Sequence, residues 1–217
     1  MHLFLILSAP LAYVYILILR DEANQRSALT AIAALKGVLA YLVITIPLLL
    51  IRRFVTEPFG GSGVYTYTVI FDFAVPLYLG IILYLLFTRD IGGLTPEERS
   101  LSFLSFLAGA FSFAGLMDLF LRADYFGAYE LFYLPALRIS LMLLASSLLY
   151  RFAGETFWIR YLYLILLLAT PFALATVRLL TSINYGAAAG ALSLVFFLGG
   201  WAMALFAAGR SRALRLR

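Results

Sequence analysis

The chain has 217 residues, of which 64% are hydrophobic and only 12% charged, with a formal net charge of +5. That composition excludes an ordinary soluble domain, and the absence of cysteine excludes disulfides, thiolate metal sites and cysteine nucleophiles. The single histidine, His2, stands at the N-terminus, so a serine–histidine nucleophile and a histidine-built metal site are excluded as well.

Seven apolar segments of about 20 residues can be drawn, each close to the length that crosses a hydrocarbon core of roughly 30 Å. They leave no linker long enough for a soluble domain. The expected architecture is therefore one domain over 1–217, an all-α polytopic membrane bundle of seven transmembrane helices. The first span, 3–19, lacks a basic leader and is followed by Arg20 and Arg26, so it reads as retained, with its N-terminus outside. The second, 31–51, contains Pro47. A loop with a Gly-Gly-Ser-Gly turn cluster leads to the third, 67–87, in which Asp72, Pro76 and Gly80 follow at steps of four. A Thr-Pro-Glu-Glu run, with Thr95 as cap and Pro96 at the first helical position, opens the fourth, 101–121.

Along the fourth span Ser105, Ala108, Ser112, Gly115, Asp118 and Arg122 share one helical face. All but the two charges are small, so this is a helix-packing face with an acid set in it. The aromatic stretch 123–133 is expected at a headgroup boundary. Arg138 and Pro135 lie in the fifth span, 131–150, and Arg178 and Pro171 in the sixth, 161–180. A tight turn joins this to the seventh, 187–208, at whose start Gly186 and Gly190 form a GxxxG pair, a second candidate packing site. Eleven of the basic residues lie toward one side, including Lys36 near an inner helix end and four in the tail, against Arg52, Arg53 and Arg122 on the other. This sets the N-terminus outside and the C-terminus inside, in an integral membrane protein assigned to the plasma membrane of a prokaryote.

In that topology Asp72, Asp118, Arg138 and Arg178 all lie in the outer half of the membrane, Asp72 roughly 8 Å below the end of its span. Intramembrane ionisable residues are expensive and mark functional sites by default. The four are candidates either for an outward-opening ligand pocket or for a structural ion-pair network. The rim residues Arg52, Arg53, Glu57, Arg122, Asp124 and Glu130 add equal numbers of each sign, which argues against a dedicated ion pathway. No metal or cofactor is expected.

IFD at 70–72, GLMD at 115–118 and LPALR at 134–138 resemble, in three short pieces, the YD, GxGD and PAL elements of presenilin-type intramembrane aspartyl proteases. The resemblance implies that Asp72 and Asp118 activate water between them. Phe71 stands in place of tyrosine, Met117 in place of the second glycine, and the PAL-like element follows on the very next helix, so the balance is against an enzyme. The favoured reading is a sensor or ligand-binding seven-helix module, ahead of a small-solute transporter or a non-catalytic subunit or assembly factor. In topology it resembles the seven-helix input modules of bacterial membrane receptors. Its expected partners are the lipid bilayer and a protein docking on the cytoplasmic loops and the basic tail, not nucleic acid.

Overall fold

The computed structural model describes residues 2–20, 27–54, 61–87, 96–121, 127, 129–154 and 157–215. Apart from Gly127 and the short turn at 183–185 these residues are helical, and no strand occurs among them. Seven helices follow one another: α1 His2–Arg20, α2 Ser27–Phe54, α3 Gly61–Phe87, α4 Pro96–Leu121, α5 over 129–154, α6 Phe157–Ser182 and α7 Gly186–Arg215. The last six are long and apolar enough, by length and composition, to cross a membrane. In α1 the apolar stretch Leu7–Ile16 is shorter.

Helices α4 and α5 form the centre, with 72% of each apolar window buried, against 33% for α6 and 22% for α7. Around them α1 packs on both, α2 on α4 and α3, α3 on α2 and α6, and α7 on α5 and α6. Individual contacts fix the directions. Lys36 near the start of α2 donates through Nζ to the carbonyl of Phe87, the last residue of α3, at 2.9 Å, so these two run antiparallel. A lysine at a helix C-terminus also favours the negative end of the helix dipole. Gly61 at the start of α3 lies against Leu179 and Ile183 at the end of α6. Ser100 of α4 donates to the Ser146 carbonyl of α5. Helices α2 and α4 run parallel, as do α5 and α7, where Gly190 meets Tyr133 and Gly200 meets Ser140. The chain thus passes up and down, and the starts of α3, α5 and α7 share an end with the finishes of α2, α4 and α6.

The tightest helix contact is between α2 and α4, and glycine makes it possible. A Cβ on Gly37 would overlap the Phe106 carbonyl oxygen, and one on Gly109 would overlap the Ala34 carbonyl oxygen. Backbone meets backbone there, so neither side can yield. This is not the face formed by Ser105, Ala108, Ser112 and Gly115. Ser105, Ala108 and Gly115 are buried and Ser112 is half-buried, with the Ser112 hydroxyl turned back to the Ala108 carbonyl of its own helix. Thr45, Ser140 and Thr170 do the same with carbonyls four residues back. Such back-bonding satisfies a hydroxyl where water is absent.

The GxxxG pair makes no close helix contact. Gly186 has open space around it, and Gly190 meets only the Tyr133 hydroxyl at 3.5 Å. The close approach of α7 to α5 is instead at Gly200, beside the Ser140 backbone. The tight turn before α7 is as expected, and its chemistry is explicit. Asn184 adopts φ 63°, Tyr185 N donates to Leu180 O at 2.9 Å and Asn184 N to Thr181 O at 3.2 Å. These are the two bonds of a Schellman ending, with asparagine in the left-handed position.

Two element boundaries differ from expectation. Helix α3 starts at Gly61, so part of the Gly-Gly-Ser-Gly cluster is helix rather than turn. Packing on α6 outweighs the low helix propensity of glycine: a side chain on Gly61 would crowd Leu179, and Tyr65 donates to the Phe172 carbonyl at 3.0 Å. Likewise Tyr129–Tyr133, drawn before the fifth span, is already the first turn of α5, with Tyr129 and Glu130 buried. Pro96 opens α4 as expected. Thr95 lies outside the described residues, as do Glu57, Arg122, Asp124 and the side chains of Arg52, Arg53 and the tail arginines.

Candidate functional site

Two of the helices are interrupted in the same way. In α3 the residues Val69–Ala74 form a π-helical turn, closed by Val75 N donating to Ile70 O, and Pro76 follows directly. In α5 the turn Tyr129–Tyr133 is π-helical, and Pro135 comes two residues later. Proline explains both. Its ring collides with the carbonyl four residues back and it brings no N–H, so the preceding turn widens to relieve the clash. Each widened turn carries a carboxylate, Asp72 in one and Glu130 in the other.

Asp118 and Arg138 meet inside the bundle. Asp118, one turn from the end of α4, accepts a hydrogen bond from Arg138 Nη2 at 2.6 Å. Both residues are buried, Arg138 with 4% and Asp118 with 6% of its surface exposed. Asp72 from α3, itself 3% exposed, and Tyr41 from α2 lie close enough to act electrostatically on the guanidinium. Four helices thus converge on one arginine. Tyr41 is held there by the Gly37–Gly109 packing of α2 against α4 and by an edge contact with the Phe113 ring, centroids 6.2 Å apart.

The guanidinium is incompletely used. Arg138 Nε and Nη1 are buried and have no hydrogen-bond partner. Of the five N–H groups of an arginine these nitrogens carry three. A buried donor left unmade costs about 1–3 kcal/mol, so this is an unusual resting place for a residue that needs only one partner carboxylate to be neutral. Its atoms also show almost no accessible surface, so no water-sized space adjoins them. The guanidinium is closely packed.

Arg178 does not join this cluster. Its Nη1 pairs with Glu130 Oε1 at 2.9 Å, and its guanidinium lies over the Tyr129 ring, 4.4 Å from the centroid. The second oxygen of Glu130 accepts from Gly127 N at 3.0 Å. With a third of the Arg178 side chain exposed, this second cluster sits near the surface at the same end of the bundle. The structure therefore separates the buried Asp118–Arg138 pair, with Asp72 within electrostatic reach, from a second pair at Arg178. It places Glu130, counted in the sequence as a rim charge, on the buried side of a π turn, and it adds Tyr41.

The recurring sequence signal is an acid four or five residues before a proline inside an apolar span, Asp72 before Pro76 and Glu130 before Pro135. Tyr41 carried no such signal. The packing glycines Gly37 and Gly109 lay outside the small-residue face singled out on α4.

An aspartyl pair that activates water shares a proton between facing carboxylates, whereas Asp118 is engaged by a guanidinium. Among the described residues no group of three or more His, Cys, Asp or Glu is arranged to hold a metal. Comparison with protein families, with characterised proteins and with solved structures finds no match, so the reading of this site rests on its own geometry.

Proposed function

We propose that the chain is a seven-span integral membrane protein, N-terminus outside and C-terminus inside, that works as a sensor or ligand-binding module. Its site is the Asp72–Asp118–Arg138 centre with Tyr41, opening toward the outer face. The observation that carries this reading is the buried Arg138 guanidinium with Nε and Nη1 unpartnered. A purely structural pair would leave fewer donors unmade, because unmade donors lower stability and serve nothing. A closed binding site has reason to hold them ready. The proline-widened turn of α3 carries Asp72 and supplies a place where that helix can give, since π turns and prolines weaken the local hydrogen-bond ladder. A bound solute would shift the angle between α3 and α5, and the basic ends of the helices inside would pass that shift to a partner protein.

The test uses the lack of cysteine, which makes the unaltered chain its own blank. Single cysteines are placed at Met142 and Ala175, both fully buried, and at the exposed Ser182 as a control. Intact cells are treated with a membrane-impermeant thiol reagent. The expected result is fast labelling at 182 and slower, time-dependent labelling at 142 as the site opens. Labelling at 182 with none at 142 or 175 would make the charges a sealed structural network and end the binding reading. The same broken helices favour a second reading, a small-solute transporter, which solute flux in proteoliposomes of the purified chain would establish.

A further inference from the structure

We propose that the guanidinium of Arg151 binds the phosphate of an anionic phospholipid, at the end of the bundle where α5 finishes and α6 starts. The proposal needs only that these helices lie in a bilayer, and it stands apart from the reading of Arg138. Depth is its first support. Arg151 is the last but one residue of the apolar stretch of α5, Tyr129–Phe152, and Phe206 beside it is the last of that of α7, Gly186–Phe206. Trp158, 82% exposed, opens that of α6. Three helices thus reach the limit of their apolar stretches close to Arg151, with aromatic rings among the limiting residues, as at a headgroup boundary.

The second support is how Arg151 is held. Its guanidinium carbon lies 5.8 Å from the ring centroid of Tyr163 in α6 and 5.7 Å from that of Phe206 in α7. Nη1 donates to the Tyr163 hydroxyl at 3.3 Å. Among the described residues no carboxylate pairs with it, whereas Arg138 has Asp118, Arg178 has Glu130 and Lys36 has the carbonyl end of α3. A guanidinium carries five N–H groups in a planar fork, and one phenol leaves most of them for another acceptor. The acceptor a bilayer offers at that depth is a phosphodiester, which takes two parallel N–H bonds from arginine. Rings from two helices position the group beforehand, so less side-chain freedom is lost on binding. Apolar surface for the acyl chains adjoins it, since α6 and α7 are the least buried spans and expose Leu162, Ile165 and Leu205. Charge complementarity selects a lipid with net negative charge: Arg160 is exposed near the start of α6, and Arg210, Arg212, Arg215 and Arg217 follow Phe206 in the chain. A water-soluble protein partner fits less well, because Tyr163 and Phe206 belong to apolar stretches that hydrocarbon covers.

The full-length chain is purified in an uncharged detergent and titrated with phosphatidylglycerol, and native mass spectrometry counts the lipid molecules that stay bound. Phosphatidylcholine, with the same phosphodiester but no net charge, and glycerol phosphate, with no acyl chains, are the comparisons. A single phosphatidylglycerol is expected to be retained at concentrations at which neither comparison is. Arg151→Gln is expected to weaken that retention about tenfold, and Arg151→Lys to restore only part of it, because an ammonium lacks the fork. Arg160→Gln removes the same charge from an exposed position and is expected to leave the affinity within about twofold. An equal loss with Arg160→Gln would make the attraction a diffuse one to the basic helix ends and overturn the site. Equal retention of phosphatidylcholine, or of glycerol phosphate, would overturn the choice of an anionic lipid. The same spectra report the mass of the assembly, and a dimer that Arg151→Gln dissociates without changing the bound lipid would make a second copy the occupant. The comparison of lipids on the unaltered chain keeps the test decisive if Arg151→Gln folds poorly.

Discussion

Arg138 concentrates the energetics of the whole buried centre in one side chain. Removing it strips Asp118 of its buried guanidinium partner, whereas removing Asp118 leaves the guanidinium with Asp72 still near enough to act on it. The two losses are therefore unequal. Breaking a buried pair by deleting one partner costs about 3–5 kcal/mol, and Arg138→Gln is expected to fall in that range. Asp118→Asn should cost clearly less, and the double variant should recover part of the Arg138→Gln loss, because two neutral amides then face one acid. Glu130→Gln belongs to another class. Its partner Arg178 is a third exposed and already rests on the Tyr129 ring, so solvent screens the change to about 1 kcal/mol or less. Thermal unfolding in detergent, followed by the fluorescence of the two tryptophans, measures all four. Equal losses for Asp118→Asn and Arg138→Gln would show that Asp72 does not share the charge of Arg138.

At the scale of the element, the glycines sort by what a side chain would meet rather than by motif. Gly37 and Gly109 sit where backbone oxygen of the facing helix fills the space a Cβ needs. Gly109→Val would force α2 away from α4, displacing Tyr41 from the centre. It is expected to lower Tm by an amount matching a loss of several kcal/mol, in the manner of an overpacked core. Gly186→Val adds a side chain to open space and should leave Tm within the scatter of surface substitutions. The reverse order of effects would mean that α7, not α2, makes the close helix contact.

This comparison also marks where the sequence was legible and where it was not. The seven helical segments were legible because hydropathy is a local property, and the α6–α7 turn because the stretch TSINYG is itself a stop signal. Gly61–Gly63 misled because glycine propensity is local while its helical state here depends on Leu179 and Phe172 of α6. Asp72, Asp118 and Arg138 could be picked out as costly residues. Which of them meet could not, since that depends on the helix neighbours and on two turns widened by Pro76 and Pro135. Arg178 was grouped with them by depth alone, and depth does not distinguish a buried face from a rim.

For the whole molecule, the contacts order the helices up and down but do not say which end faces out, and the proposed site opens to different compartments in the two cases. The charge distribution decides the proposal. Lys36, Arg99, Arg151 and Arg160 gather at the end where α3 finishes, and basic residues are retained on the cytoplasmic side of short loops. Arg151 is further fixed there by its bond to the Tyr163 hydroxyl and by the Tyr163 and Phe206 rings beneath it. In the proposed orientation that end faces inside, and the Ser182–Tyr185 turn, with the Glu130–Arg178 pair nearby, faces outside. Trp158 and Ser182 are both exposed and lie at opposite ends of α6, so one helix carries both reporters. With an impermeant thiol reagent on intact cells, Ser182→Cys should label and Trp158→Cys should label only after the membrane is opened. The opposite pattern would invert the molecule, turn the Arg138 centre toward the cytoplasm, and make it a reader of internal rather than external solute. Labelling of both in intact cells would mean that α6 does not cross the membrane, and would remove the seven-span arrangement itself.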